Sequence, residues 1–316
     1  MLIFIGRRVA AAVLVILVVS FIIFCCLYLA PGGPEQAILG PTAATPAALA
    51  AIRRQFGLDK PFPVQYLHFL QGVVTLNFGR SYQTGELVGS GIVQRLAVTL
   101  PLALGGFVLS VVLGLAGGVV SAYHRGRPVD RILGAVSIGT ASVPVYATAI
   151  LLIFVFGVEL QWFPISGGGT GPADTAWHSV LPVVSLGLVG AATMLRRTRI
   201  AVVAALARDD IAFARARGLS ERDVLVHYVA RHAGVTLLTA ASVVLIFMVA
   251  GTAVAETAFA MDGVGSYLIT AINGKDIPTV QGIATVITIF VVVINLVTDV
   301  LYAVVDPRIK KGVIAA

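Results

Sequence analysis

Residues 196–232 read RRTRIAVVAALARDDIAFARARGLSERDVLVHYVARH, and this stretch decides the fold. It carries eight arginines, so it stays out of a bilayer core, where each would cost about 2.5–3.5 kcal/mol. It is also too regular for a simple connector. Ile200, Val203 and Ala207 continue a helix out of the preceding segment. Gly218 interrupts that helix, because glycine accepts the positive φ at which a chain reverses. Ser220, with Asp223 three residues on, is a capping-box variant that starts a new helix, and Asp223 lies where the helix dipole favours a carboxylate. The expected local structure is a helix, a glycine turn and a short helix of about two turns. Leu219, Val224 and Leu225 lie alongside Glu221 and Arg222 on that short helix. Two readings stand: a plug for a groove on a soluble protein, or an amphipathic helix resting on lipid headgroups.

Apolar runs flank this stretch: Val180–Leu195 before it and Ala233–Ala255 after it. Four more lie further out, at Val9–Ala30, Leu100–Tyr123, Ile132–Phe156 and Gly282–Val305. A spanning helix needs about 17–25 apolar residues, so six spans are expected, the fourth of them short. Composition agrees. The 316 residues are 58% hydrophobic and 12% charged, with a mean hydropathy of +0.96, against about 45–50% and about 25% in soluble domains. A disulfide scaffold, a disordered chain and an ordinary cytosolic enzyme are excluded. Cys25 and Cys26 are adjacent in an apolar run and read as small apolar side chains. The net charge is +7, but the basic residues lie between apolar runs rather than on one folded face, which argues for orientation in a bilayer and against nucleic acid.

With the N-terminus in the cytoplasm, the inner segments hold sixteen Lys and Arg and the outer ones six. Five of those six lie in the long first outer loop, where the charge rule is weak. Both termini are therefore expected in the cytoplasm. The first run is too long for a signal-peptide core of about 7–15 residues and reads as an uncleaved anchor. In the outer loop, Thr45-Pro46 is a helix-start pair, with Gly57 as the stop and Arg53 and Arg54 in the last turn. A second amphipathic stretch, Val64–Val74, presents Tyr66, Leu67, Phe69 and Leu70. It is either a lid on the outer ends of the spans or a docking surface for an extracellular partner.

Four residues within or near the spans are candidates for a pore or gate: Pro144, Glu256, Asn295 and Asp299. Pro144 removes a helical hydrogen bond and should kink the third span. Glu256, at the outer end of the fifth span, either contacts an extracellular partner or shapes the outer gate, or is a solvated rim residue. Asp299 and Asn295 share a face of the sixth span, either lining the path or forming a packing network. Gly114 and Gly118 form a small-xxx-small pair. Trp162 and Trp177 fit an outer aromatic belt. The sequence has no Walker A pattern, Gly-x-Ser-x-Gly elbow, His-Glu-x-x-His or Cys-x-x-Cys, and its histidines are scattered. No catalytic, cofactor-binding or metal site is expected in this chain.

Ala214-Arg215-Ala216-Arg217-Gly218-Leu219-Ser220 resembles the EAA loop of permease subunits in binding-protein-dependent ABC transporters, most closely the dipeptide, oligopeptide and nickel branch. Further patches resemble that branch in shared order: Pro31-Gly32-Gly33-Pro34, Phe56 to Pro61 with Gln65-Tyr66, Asn77 to Ser81, Arg95 to Pro101, Val254 to Thr257, Gly263-Val264-Gly265, Asp276 to Gly282, and Asn295, Asp299, Tyr302 and Asp306-Pro307-Arg308. There are departures. The three EAA positions are Ala212-Phe213-Ala214, His232 and Thr236 replace the usual Asn and Pro, Asp262 replaces a proline, and Gly33 an aspartate.

The resemblance implies an all-α integral membrane protein of the type I ABC importer permease fold. Its six transmembrane helices carry a small helical extracellular lobe between helices 1 and 2. The expected organisation is a tip and first span over 1–30, the lobe over 31–94, a five-helix core over 95–305 with the cytoplasmic coupling loop 196–232, and a cytoplasmic tail over 306–316. The resemblance further implies a non-catalytic subunit of a bacterial inner membrane importer for dipeptides or oligopeptides, with nickel or another small solute as the alternative. ATP and Mg would be bound by two partner ATP-binding subunits. A homologous second permease would complete the pore, and an extracellular binding protein would deliver substrate. Coupling would run through Ala214, Arg215, Arg217, Gly218, Leu219, Ser220, Glu221, Arg222, Asp223, Val224 and Leu225, the short helix after Gly218 seating in an ATPase cleft. A self-contained secondary transporter and an intramembrane hydrolase are the competing classes.

Overall fold

A computed structural model describes residues 2–29 and 59–305. The expectations for 31–34, Thr45-Pro46, Arg53, Arg54, Gly57 and the tail 306–316 lie outside the described residues. Among the described residues all regular structure is helical, apart from an isolated bridge between Arg80 and Leu87. The helices are α1 (Leu2–Leu29), α2 (Phe62–Thr75), α3 (Val88–Tyr123), α4 (Pro128–Ser142), α5 (Val145–Leu152), α6 (Pro172–Leu206), α7 (Asp209–Ala216), α8 (Glu221–Ala258), α9 (Val264–Asn273) and α10 (Ile277–Val305). A π-helical turn, Ile153–Glu159, prolongs α5.

Helices α1, α3, α6, α8 and α10 are long and apolar enough to cross a membrane, and α4 with α5 makes a sixth span if the bent pair counts as one. As far as they lie among the described residues, the expected runs coincide with these helices and the π-helical turn, but most helices are longer than the runs. Helix α3 starts at Val88 rather than near Leu100, and α6 extends Val180–Leu195 at both ends. The third run departs most from a single kinked helix. It breaks at Val143-Pro144 and the two halves meet at 101°. The cause is local: Val143 (φ −89°, ψ 125°) and Pro144 (φ −58°, ψ 145°) are both extended, because a proline ring pushes the preceding residue out of the helical region.

The described residues group into two units. The first comprises Val98–Met261 with the stretches up to Arg8 and from Ile294. Its central core joins Leu102, Leu186, Val244, Met248 and Phe259. Helices α3 and α6 approach very closely. A Cβ built on Gly114 would overlap Cβ of Met194, and one on Gly118 would overlap Cβ of Thr198. The small-xxx-small pair therefore serves the purpose expected of it, letting one backbone settle against another helix. A second cluster at the inner end gathers Ala122, Val202, Ile211, Ala214, Val224 and Val229.

The second unit comprises Val9–Ala97 and Asp262–Val293. Val88, Ile92, Val264, Tyr267 and Ile283 form its core. Helix α2 covers the expected amphipathic stretch. Tyr66 and Phe69 pack on Phe24 of α1, with centroids 5.5 and 5.7 Å away, and the Tyr66 hydroxyl donates to the Leu17 carbonyl at 2.9 Å. These rings pack, as the lid reading expects, while Leu67 points outward. Buried Asp276 holds the 81–84 turn: Ser81 Oγ donates to its Oδ2 at 2.5 Å and Tyr82 N to its Oδ1 at 3.0 Å. Burial, reinforced by the Asp276 charge, pushes the Tyr82 phenol well above its usual range.

Candidate functional site

The loop between α6 and α8 is built differently from the expected helix, turn and short helix. Helix α6 ends at Leu206, and Arg208 (φ −83°, ψ 147°) breaks the chain direction without a side-chain cap. Helix α7 then starts on Asp209 and Asp210, two carboxylates in the first turn where the dipole favours them. It ends at Gly218, whose φ of +79° requires glycine. Gly218 N donates to Arg215 O at 2.9 Å and Leu219 N to Ala214 O at 3.3 Å, which is the paired closure of a Schellman cap. Ser220 caps the next helix, accepting from Asp223 N at 3.2 Å. Gly218 and the Ser220–Asp223 pair therefore act as expected.

The free-standing short helix, however, lies before Gly218. The helix after it is the first turn of the 38-residue α8, not a separate helix of two turns. The reason is packing. Val224 is fully buried in the inner cluster, and Leu219 and Leu225 pack against that cluster. With its apolar side chains turned inward, the segment has no reason to leave the bundle.

The eleven expected coupling residues consequently divide. Ala214 and Val224 are buried, Leu219, Asp223 and Leu225 are half-buried, and Arg215, Arg217, Gly218, Ser220, Glu221 and Arg222 are exposed. Arg215 and Glu221 bridge the glycine turn through two hydrogen bonds, of 2.8 and 3.0 Å, and the Glu221 bond raises the Arg215 guanidinium further above its usual value. Sequence reasoning missed the outer face of α7. Ile211 and Ala214, three apart, face the core, which leaves Ala212, Phe213 and Ala216 outward, and the Phe213 side chain is 65% exposed. The three-residue spacing of Ile211 and Ala214 was the available signal. Asp210 ties α7 to α8: His232 Nε2 donates to it at 2.7 Å and Arg208 Nε at 3.0 Å. Burial works against the Asp210 carboxylate, but these two bonds outweigh it and hold its carboxyl below the usual range.

The four candidate pore or gate residues do not converge. Pro144 marks the break described above, and Val145 beside it lines a cavity of about 370 Å³ with Leu186, Thr193, Val243, Phe247 and Met248. Its walls are almost wholly apolar. Glu256 is 0% exposed, which overturns the solvated-rim alternative. Thr99 Oγ1 of α3 donates to it at 2.7 Å. Asp299 pairs with Arg8 at 3.0 Å. Asn295 is exposed, and among the described residues no hydrogen bond joins it to Asp299, so the expected shared network is absent. The packing ties of α10 run instead through Thr298 to Ser242 at 2.7 Å and Tyr302 to Thr239 at 2.6 Å. Among the described residues no group of three or more His, Cys, Asp or Glu is placed to hold a metal.

Residues 114–311 match the family described as binding-protein-dependent transport system inner membrane component, and residues 1–103 match the N-terminal family of the same membrane components. A probable peptide ABC transporter permease protein of Sinorhizobium fredii is 36% identical over 311 residues, 98% of this chain and 99% of that one. The glutathione transport system permease protein GsiC of Escherichia coli K12 is 33% identical over 310 residues, with 98% and 99% covered. Among solved structures, an inward-facing MetNI methionine ABC transporter matches with a TM-score of 0.55 at 19% identity, over 68% of this chain and 96% of that one. That likeness bears on the fold alone.

Proposed function

The chain belongs to the family of binding-protein-dependent transport system inner membrane components, and from that premise we propose that it forms half of the path by which an ATP-driven importer carries short peptides. Membership makes it a multi-pass permease subunit that works with ATPase and substrate-binding partners. The observation that carries the peptide reading is the match, over 98% of the chain, to relatives named as peptide and glutathione permeases. The finer assembly is our reading of the same family: two ATP-binding subunits that hold ATP and Mg, a homologous second permease, an extracellular binding protein, and no catalysis by this chain. The excess of arginines on alternate loops supports a bacterial inner membrane orientation with both termini and the 196–232 loop in the cytoplasm.

The contact with the ATPase is assigned to α7. Ala212, Phe213 and Ala216 supply an exposed apolar face, Arg217 stands over the Phe213 ring at 6.0 Å, and the Gly218 cap with the Arg215–Glu221 bridge fixes the angle at which that face is presented. Pro144, at the break beside the apolar cavity, is the best placed of the four candidates to border the path. The test is reconstitution. The complete transporter should take up labelled di- and tripeptides on ATP, and this chain alone should take up none. Gradient-driven uptake by the chain alone would overturn the reading, and ATP-driven uptake of nickel without peptide would overturn its substrate half.

A further inference from the structure

Asp130 lies in the first turn of α4 and is 6% exposed. Its carboxylate accepts four hydrogen bonds. Arg199 Nε donates to Oδ1 at 2.6 Å and Arg199 Nη2 to Oδ2 at 2.8 Å. Ser121 Oγ donates to Oδ1 at 2.5 Å and Gly126 N to Oδ2 at 2.9 Å. The donors come from three places: the end of α3, the link that follows it, and α6. Arg196 and Arg197 are exposed beside Arg199, so the inward turn of one arginine among three is specific. A fork-to-fork arginine pair fixes angle as well as distance. Further along the bundle, Ser137 of α4 donates to Ala192 O of α6 at 2.9 Å, and Gly114 and Gly118 hold α3 against α6. Beyond Arg199, α6 runs to Leu206 and leads into α7.

We propose that Asp130 and Arg199 are positioning residues that carry movement of α7 into α3 and α4, so that the inner ends of α3, α4 and α6 move as one block. This rests on the permease reading, in which α7 takes the push of the ATPase. Breaking a buried pair leaves a charge uncompensated, so the joint persists through the cycle. The three-helix block thereby becomes one lever, and the sharp break at Pro144 is where that lever ends.

The test uses the complete transporter, in a background lacking Cys25 and Cys26, with spin labels on exposed Val136 of α4 and exposed Ala204 of α6. The distance between them is measured nucleotide-free and after trapping with ATP and vanadate. In the wild-type assembly it should agree between states to within about 1 Å, whereas in Asp130→Asn the states should differ by about 2 Å or more. Arg199→Lys, which keeps the charge but loses the fork, should fall between. A wild-type distance that shifts as much as the variant's, or variants that hold it constant, would overturn the proposal. If Asp130→Asn does not assemble, Arg199→Lys carries the comparison. Failure of both to assemble makes the pair a folding bracket and overturns the joint. The permease reading fails separately, and earlier, if the wild-type chain neither retains an ATPase subunit nor traps nucleotide.

Discussion

Two glycines in this chain are required for opposite reasons, and substitution series at each should rank in opposite orders. Gly218 has φ +79°, and a Cβ built on it meets nothing within 4 Å. Space is therefore irrelevant there, and the entire cost of a side chain is the left-handed backbone, about 1–2 kcal/mol for an ordinary L residue. The cost is smaller for asparagine and larger for a β-branched residue. That is roughly a 5- to 30-fold change in the population of the turn. Gly118 lies inside α3 in ordinary helical backbone, but its Cβ would overlap Thr198 Cβ and stand 2.8 Å from Leu195 O. Carbon contacts settle at about 3.5–4.0 Å, so even alanine must push α3 and α6 apart by about 1 Å, an overpacking cost of about 1–3 kcal/mol. The assay is thermal stability of the detergent-solubilised assembly, followed by ATP-driven peptide uptake. At Gly218 the order should be Gly, Asn, Ala, Val, with assembly retained and uptake declining. At Gly118 alanine should already lower the melting temperature, and asparagine should be worse than alanine. Asparagine ranking below alanine at Gly218 would refute the left-handed cap, and a wild-type melting temperature for Gly118→Ala would refute the close approach.

Phe213→Ala should leave the stability of the chain unchanged, since the ring is largely exposed, but weaken binding of the ATPase subunit by about 30-fold, the scale of a loss of about 2 kcal/mol at an interface anchor; titration of the purified subunit against reconstituted chain reads it. Glu256→Gln should keep the bond from Thr99 and the melting temperature, whereas Glu256→Leu, which removes the acceptor, should lower stability by about 1–3 kcal/mol in a melting experiment. The Asp210 carboxyl is held below its ordinary value, so the tie it makes from α7 to α8 is complete above the usual carboxylate range of about 4 and is lost as pH falls through the lowered value. Protease cutting in the Arg217 turn should accordingly be constant from pH 8 to 5 and rise only below about 4, and in Asp210→Asn it should be raised throughout.

The spans were legible because runs of about 20 consecutive apolar residues seldom occur outside a membrane. Gly218, the Ser220–Asp223 cap and the Gly114–Gly118 pair were legible because each is a backbone requirement expressed within a few residues. The site was harder. Nothing in Ala207-Arg208 marks a helix end: there is no glycine, no proline and no capping side chain. The position of α7 therefore depended on which residues the inner cluster took up, and that cluster also draws on Ala122 and Val229. Pro144 announced a kink, but its angle depends on what each half packs against. The partners of Asp299 and Glu256, Arg8 and Thr99, are far away in sequence, and no periodicity points to them.

Within the first unit the polar ties concentrate at the end of the spans that carries the 196–232 loop. The ion pairs of Asp130 with Arg199, Asp299 with Arg8, Asp210 with His232 and Arg215 with Glu221 all lie there. The middle of the spans is held otherwise, by glycine contacts, by apolar side chains around a cavity and by a few neutral hydroxyl bonds such as Ser110 to the Gly187 carbonyl and Ser137 to the Ala192 carbonyl. These two kinds of contact respond differently to force. Directed, charge-assisted bonds fix distance and angle and are costly to exchange inside a membrane, so an element bound by them moves as a body. Apolar surfaces have no preferred register beyond shape, so they slide and repack at small cost. A permease driven from one end needs the first kind where the push arrives and the second where the path must open. If polar ties were moved into the middle, by replacing Val244 with Thr and Leu186 with the near-isosteric Asn, uptake per ATP hydrolysed should fall in the assembly that forms, beyond what its lowered melting temperature accounts for. Uptake preserved in such a variant would show that the apolar middle serves packing alone.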